Sequence, residues 1–268
     1  PMGAYQLNKF RDGGEGERKR YINVAHDDPD AGSFTIFAGG DYLAETNRSA
    51  KHKQSSNHNT ILINGMGQMA AGRREGGTWS QPSTRGSMAE MAVITAFKEA
   101  GDVVLVEGES AGSYLKYRDR GTGASRPALD RFRRTFVWVE DKYILVLDDI
   151  RAPEPVEITW LMQGKKLTPG AGDGAYVLAH ENASCPFTVV TEQDMAAEIG
   201  VSTANSKGGK LGWQQLQLTG KTDRTRVVSI YDPWGTGAKV SWKPAGADSA
   251  TVTVRGKGFE DTWTWNAA

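Results

Sequence analysis

Apolar residues recur at every second position in short runs along this chain, and glycine-rich or polar turns separate the runs. Such alternation marks strands with one covered and one open face. Residues 33–38 (SFTIFA) put Phe34, Ile36 and Ala38 on one face. The Gly39-Gly40 pair that follows is a hairpin signal, with residues 41–46 as the returning strand. A strand is predicted over 20–25 before this hairpin and another over 58–64 after it. Residues 87–101 (SMAEMAVITAFKEAG) are ambiguous between helix and strand, but the Val-Ile-Thr-Ala-Phe centre and the apolar run at 103–106 favour a hairpin. Residues 131–140, 143–148 and 156–162 then read as an antiparallel meander with turns at Asp-Lys and at Ala-Pro-Glu-Pro. Later strands are predicted over 175–180, 187–191, 213–218, 226–232, 239–243, 251–255 and 262–265. There is no βαβ rhythm, heptad or clear repeat. The pattern predicts an all-β fold: a supersandwich-like assembly of large antiparallel sheets with few or no helices.

Length and composition sharpen this only in part. The 268 residues suit one large β assembly. Residues 1–20 are polar and read as a mobile lead-in. The sandwich is expected over 21–268, with a smaller C-terminal β sub-layer after about residue 165. Basic and acidic residues number 32 each, so no global field attracts nucleic acid or an anionic membrane. No apolar run approaches the roughly 20 residues that span a bilayer. The single cysteine, Cys185, excludes an intrachain disulfide and a multi-thiolate zinc site, and is expected to be a buried, inert thiol. The chain opens on Pro-Met without a signal-type apolar run, and a fragment of something larger is the expected origin.

Candidate chemistry concentrates in residues 21–68. His26 and Asp28 are two apart and in extended backbone project to one face, with Asp30 continuing the series. These residues would converge with Glu45 and His58 if their strands are neighbours. Two imidazoles beside carboxylates suit Zn²⁺, and equally suit general-base chemistry. Asp-Asp-Pro-Asp is also good turn chemistry in its own right. His52, between two lysines, reads as a solvated loop residue, and His180 as structural. Trp138, Trp160, Trp242, Trp263 and Trp265 alternate within strands and read as core. Trp79, in the Gly/Arg/Ser-rich loop over 70–86, and Trp234 are the better stacking candidates.

The order of these residues resembles the opening of the C-terminal β-sandwich in heparinase II/III-like polysaccharide lyases. The matching positions are His26, Pro29, Asp30, Ser33 and Phe34, then Gly39, Gly40 and Glu45, then His58, Asn59, Thr60, Gly65 and Gln68. The arginine-rich strand with Arg131, Arg133 and Arg134, and the YILVLDDI segment, also resemble the family. The resemblance implies cleavage of uronic-acid polysaccharides, such as heparan sulfate or alginate, by β-elimination. It implies that His26 is the sandwich-borne catalytic histidine. It also implies a metal, commonly zinc, bound by Asp28, Glu45 and His58.

Two positions depart from the family pattern. Asp28 stands where histidine is usual and Glu45 where aspartate is usual, which makes a harder site that Ca²⁺ or Mn²⁺ would also suit. The family's N-terminal α/α-toroid, which carries the catalytic tyrosine, has no counterpart in these residues. A missing toroid domain, in the same gene or a separate chain, is therefore an expected partner, and the chain alone is expected to be weak or inactive. Arg73, Arg74 and Trp79, with Lys51, are the candidates for gripping an anionic polysaccharide. The resemblance implies a periplasmic or secreted bacterial protein. The alternative reading is a non-catalytic carbohydrate-binding or domain-docking module.

Overall fold

The structure is a computed structural model that describes residues 28–46, 53–68, 92–118, 125–206, 209–246 and 248–266. The strand expected over 20–25 and the loop over 70–86 lie outside these residues. The Gly-Gly hairpin forms: β1 (Ile36–Ala38) and β2 (Asp41–Ala44) are antiparallel, with Ala38 opposite Asp41. Gly39 and Gly40 have φ of 59° and 86°, the left-handed backbone that a two-residue hairpin turn requires. Next, β3 (Ile61–Ile63) is shorter than the expected 58–64. A 3₁₀ turn at Ser55–Asn57 precedes it; the His58 amide bonds the Ser55 carbonyl, the Asn59 amide bonds Ser33 Oγ, and the Thr60 carbonyl accepts from the Leu161 amide of β9.

The ambiguous segment is a hairpin. β4 (Val93–Ala100) and β5 (Val103–Glu109) pair around Gly101, whose φ is 60°. The short strands β6 (Leu115–Arg118) and β7 (Ser125–Pro127) pair with each other, and β8 (Arg131–Val139) follows. β9 (Tyr143–Gly164) is a single strand of 22 residues, so the turn expected at Ala-Pro-Glu-Pro does not form. The prolines escape their usual exclusion because of register. Arg151 is opposite Arg224, and the next paired residues are Val156 and Thr222; residues 152–155 have no partner there. No ladder bond is lost where Pro153 and Pro155 lack an N–H.

Then come β10 (Lys166–Pro169), β11 (Ala175–Ala179), β12 (Ser184–Thr191) and β13 (Ala196–Val201), with the small pair β14 (Asn205–Ser206) and β15 (Gly209–Lys210). β16 (Gln214–Tyr231) joins two strands expected separately. Its polar centre, residues 219–225, looked like a loop but pairs along β9. The chain ends in β17 (Lys239–Pro244), β18 (Ser249–Gly256) and β19 (Phe259–Asn266). Among the described residues helical structure is limited to 3₁₀ turns at Ser55–Asn57 and Ala111–Ser113.

One ten-stranded antiparallel sheet, ordered β10-β11-β12-β16-β9-β8-β5-β4, carries the molecule, with β13 paired to β16 and β3 to β9. Its first face packs Ile61, Phe132, Val146, Ile150, Trp160, Phe187 and Tyr231 against Ile36 and Leu43 of the β1–β2 hairpin. Its second face packs Val137, Leu145, Val228 and Ile230 against Val252, Val254 and Trp265 of the β17–β18–β19 sheet. Trp160 and Trp265 are core as expected, whereas Trp138 is 42% exposed. Cys185 is fully buried, and burial pushes its thiol up to about 12.

Candidate functional site

Residues 28–46 and 53–68 lie on the first face because a buried polar frame ties them there. Arg134, 1% exposed, donates to Asp148 through Nε at 2.6 Å and Nη2 at 2.8 Å, and Trp160 Nε1 donates to the same carboxylate at 2.8 Å. The remaining guanidinium nitrogen donates to the carbonyls of Gly32 and Asn59, both at 2.6 Å. The guanidinium also lies over the rings of Phe34 and Phe132, at 5.5 and 5.3 Å. The charge is thereby fully matched inside the protein, the condition under which burial is tolerated.

The Asn-His-Asn-Thr run is held by the same frame. Asn59 Nδ2 donates to the carbonyls of Phe34 and Glu45, and its Oδ1 accepts the Gln163 amide at 2.8 Å. Asn57 accepts from Thr203 at 2.9 Å and, through its carbonyl, from Gln163 Nε2. Gln68 Nε2 donates to the Ala31 carbonyl at 2.8 Å and to the Tyr114 hydroxyl at 3.2 Å. Tyr114 donates in turn to the Ile61 carbonyl at 3.0 Å, and burial pushes its phenol up to about 12. Ser33, Asn59, Thr60 and Gln68 of the sequence motif are thus fastening residues.

His58 sits between these anchors and differs from them. It is 1% exposed, and neither ring nitrogen has a hydrogen-bond partner among the described residues. Desolvation, aided by the Lys53 charge, lowers its pKa to about 4, so the ring is a neutral imidazole at neutral pH. That is the form that binds a metal. Asp28 Oδ1 lies 4.0 Å from His58 Nε2, while Lys53 Nζ donates to Asp28 Oδ2 at 3.1 Å. Glu45 is buried at the end of β2, where its Oε1 accepts the Thr46 amide at 3.2 Å. Among the described residues no group of three or more His, Cys, Asp or Glu is arranged to hold a metal.

The structure therefore brings Asp28 and His58 together and leaves the Glu45 carboxylate outside their pair. A buried imidazole with both nitrogens unpaired, close to a carboxylate, fits a divalent cation of zinc type as two of its donors. His26, Lys51, Arg73, Arg74 and Trp79 lie outside the described residues. His180 does structural work: its Nδ1 lies 2.7 Å from Asp41 Oδ1 and its Nε2 lies 2.6 Å from Lys165 Nζ. The Asn182 amide donating to Asp41, with His180 adding to it, holds that carboxyl below the usual range. Trp234 is 38% exposed. Sequence reading missed Lys53 beside Asp28, and missed Tyr114 and Gln163 in the frame; none of these has a local signal, because each acts through partners far along the chain.

The family sequence model described as Heparinase II/III-like, C-terminal, matches residues 21–231. The chain belongs to this family. No curated protein sequence matches it. Its fold is similar to that of a heparinase III, with a TM-score of 0.64 at 13% identity over 91% of this chain and 37% of that one. A second heparinase III structure gives 0.63 at 14% identity, over 92% and 38%. Heparan sulfate lyase HepC from Pedobacter heparinus gives 0.64 at 12% identity, over 90% and 37%. The chain thus spans well under half the length of these relatives. In this heparinase II/III-like sandwich, the Asn-His-Asn-Thr run and the buried Arg134–Asp148 pair occupy one continuous polar frame.

Proposed function

We propose that the chain is the β-sandwich part of a polysaccharide lyase that cleaves a uronic-acid-containing polysaccharide, of glycosaminoglycan or alginate type, by β-elimination. In that reaction a base takes the proton α to the uronate carboxylate. The C–O bond to the 4-linked sugar breaks, a C=C bond forms, and the leaving oxygen takes a proton from an acid. His26 is the proposed base. An α/α-toroid domain supplies the acid and the other wall of the cleft. Family membership supports the reaction class.

The observation that carries the proposed contribution of this chain is His58, buried, neutral and unpaired beside Asp28. His58 and Asp28 are the proposed ligands of a zinc ion, with Glu45 the third donor to be tested. When bound, the ion would supply fixed positive charge beside the segment that carries His26. Asp28 would meet the ion through Oδ1, the oxygen nearer His58, while Lys53 holds Oδ2.

Elemental analysis of the purified chain, and of His58→Ala, tests this. One metal per chain that falls to background in His58→Ala is the expected result, together with a lower Tm for the metal-loaded wild type once the ion is stripped, because a ligand that binds only the folded state stabilises it. Equal metal content in the variant would sink the assignment.

A further inference from the structure

The second face of the main sheet carries a charge pattern that the proposed lyase role leaves unused. Register sets Arg131 of β8, Arg151 of β9 and Arg224 of β16 directly opposite one another, and the neighbouring row reads Arg133, Asp149, Arg226. Residues so opposed share one face with their Cβ atoms close together, where like charges repel. This face continues from Val137, Leu145 and Val228 and lies opposite the one bearing Arg134. Three arginines abreast need anions between them.

The structure supplies some. Asp149, fully buried, accepts from Arg131 Nη1 at 2.9 Å and from Arg151 Nε at 3.2 and 3.1 Å. In the second row, Arg226 is matched by Glu192 and stacks on Trp242 and Trp265, and Arg133 lies 3.8 Å from Glu107 and from Glu109. Arg224 has the most left over: its Nε and Nη2, like Arg151 Nη2 and Arg133 Nε, are buried atoms with no hydrogen-bond partner among the described residues. Buried guanidinium donors left unpaired are costly, and an oxyanion added to the row would offset that cost.

A second observation shows which acceptor fits. Asp248, 56% exposed and placed before β18, reaches over the arginine row, and its Oδ1 lies 2.6 Å from Arg151 Nη2. Arg151 chiefly, with Arg224 and Arg131 adding, holds its carboxyl below the usual range. Asp248 is thus an exposed carboxylate doing at this row what an oxyanion from solution would do. Arg131 and Arg151 keep 20% and 24% of their side chains exposed, so the row can be reached. Asp130 and Asp223, exposed and next in sequence to Arg131 and Arg224, add negative charge near the row that disfavours a densely charged group.

We propose that Arg131, Arg151 and Arg224 form a seat for a single sulfate or carboxylate group, with Asp248 as its displaceable resident. Guanidinium forks match both groups in two-pronged geometry. The group can arrive free or as a substituent of an acidic glycan. In the second case the chain holds polysaccharide on the face away from His58 as well. The seat stands whether or not the proposed lyase chemistry does.

Calorimetric titration of the 268-residue chain at low ionic strength, with inorganic sulfate and with a sulfated uronate oligosaccharide, tests it. Arg224→Gln should weaken sulfate binding by about tenfold, or about 1.4 kcal/mol, without lowering Tm. Asp248→Asn should strengthen it several-fold. Tighter binding of the oligosaccharide than of sulfate, lost in Arg224→Gln, assigns the group to a glycan. Equal binding assigns it to a free anion. No binding to wild type and Asp248→Asn, or unchanged affinity in Arg224→Gln, overturns the proposal. Should Arg224→Gln fail to fold, an unchanged sulfate affinity in Asp248→Asn overturns it just as well.

Discussion

Arg134 has almost no contact with water, yet every donor it offers in the frame is directed at an oxygen: two at Asp148 and the rest at the Gly32 and Asn59 carbonyls. One side chain therefore couples the main sheet to both ends of the segment that contains Asp28 and His58. Removing it strands more than its own charge. In Arg134→Met the Asp148 carboxylate would keep only the Trp160 indole as donor, and the Gly32 and Asn59 carbonyls would lose the Arg134 donor. Breaking one side of a buried ion pair costs about 3–5 kcal/mol. Urea unfolding should show a loss of that order, and Arg134→Met combined with Asp148→Leu should recover part of it, since no buried charge is then left alone. A loss under about 1 kcal/mol in the single variant would mean that the pair does not hold the segment.

At the scale of elements, the approach of β2 to β9 decides where Glu45 stands. β2 crosses the end of β9 at Gly164, where an added Cβ would meet the Leu43 carbonyl oxygen at 2.5 Å and Leu178 Cδ2 at 2.8 Å. Only a residue without a side chain lets the strands come so close. The Glu45 amide then bonds the Gln163 carbonyl at 3.2 Å, next to that contact. Gly164→Ala should lift β2 and destabilise the protein by about 1–3 kcal/mol, the usual range for overpacking. Thermal unfolding would register it, and an unchanged Tm would show that β2 can move freely at no cost. This contact had no trace in the sequence, where Gly164 reads as an ordinary strand end. Hairpins were legible because Gly39-Gly40 and Gly101 sit between alternating runs, and their turn chemistry is local. Long strands were not. Pro153 and Pro155 look like a turn, and the polar 219–225 stretch looks like a loop, until register shows that the first needs no ladder bond and the second has one. The candidate site was legible in the same measure. Asp28 and His58 follow from the motif, whereas Lys53 and the unpaired state of the imidazole depend on packing that spacing does not encode.

For the whole molecule the question is what lies against the sandwich. On the first face, register aligns Phe97, Val106 and Phe136 in one row and Val104, Trp138 and Ile144 in the next, and the described residues leave Phe97 65% and Trp138 42% exposed. An open apolar sheet end of this kind suits cover by another domain, and the chain spans only 37% of the heparinase III it is similar to. The division of labour proposed here makes a prediction about the joined protein. The 268-residue chain alone, given heparan sulfate or alginate, should form no ultraviolet-absorbing unsaturated uronate, since a base without an acid or a closed cleft accelerates little. A longer protein that joins this chain to an α/α-toroid should form it. In that longer protein His26→Ala should abolish product while metal content and Tm stay near wild type, whereas His58→Ala should lose metal and lower Tm along with activity. Product formation by the isolated chain would make the sandwich self-sufficient. Activity retained in His26→Ala would move the base to the toroid and leave this chain the metal and the glycan-facing surface.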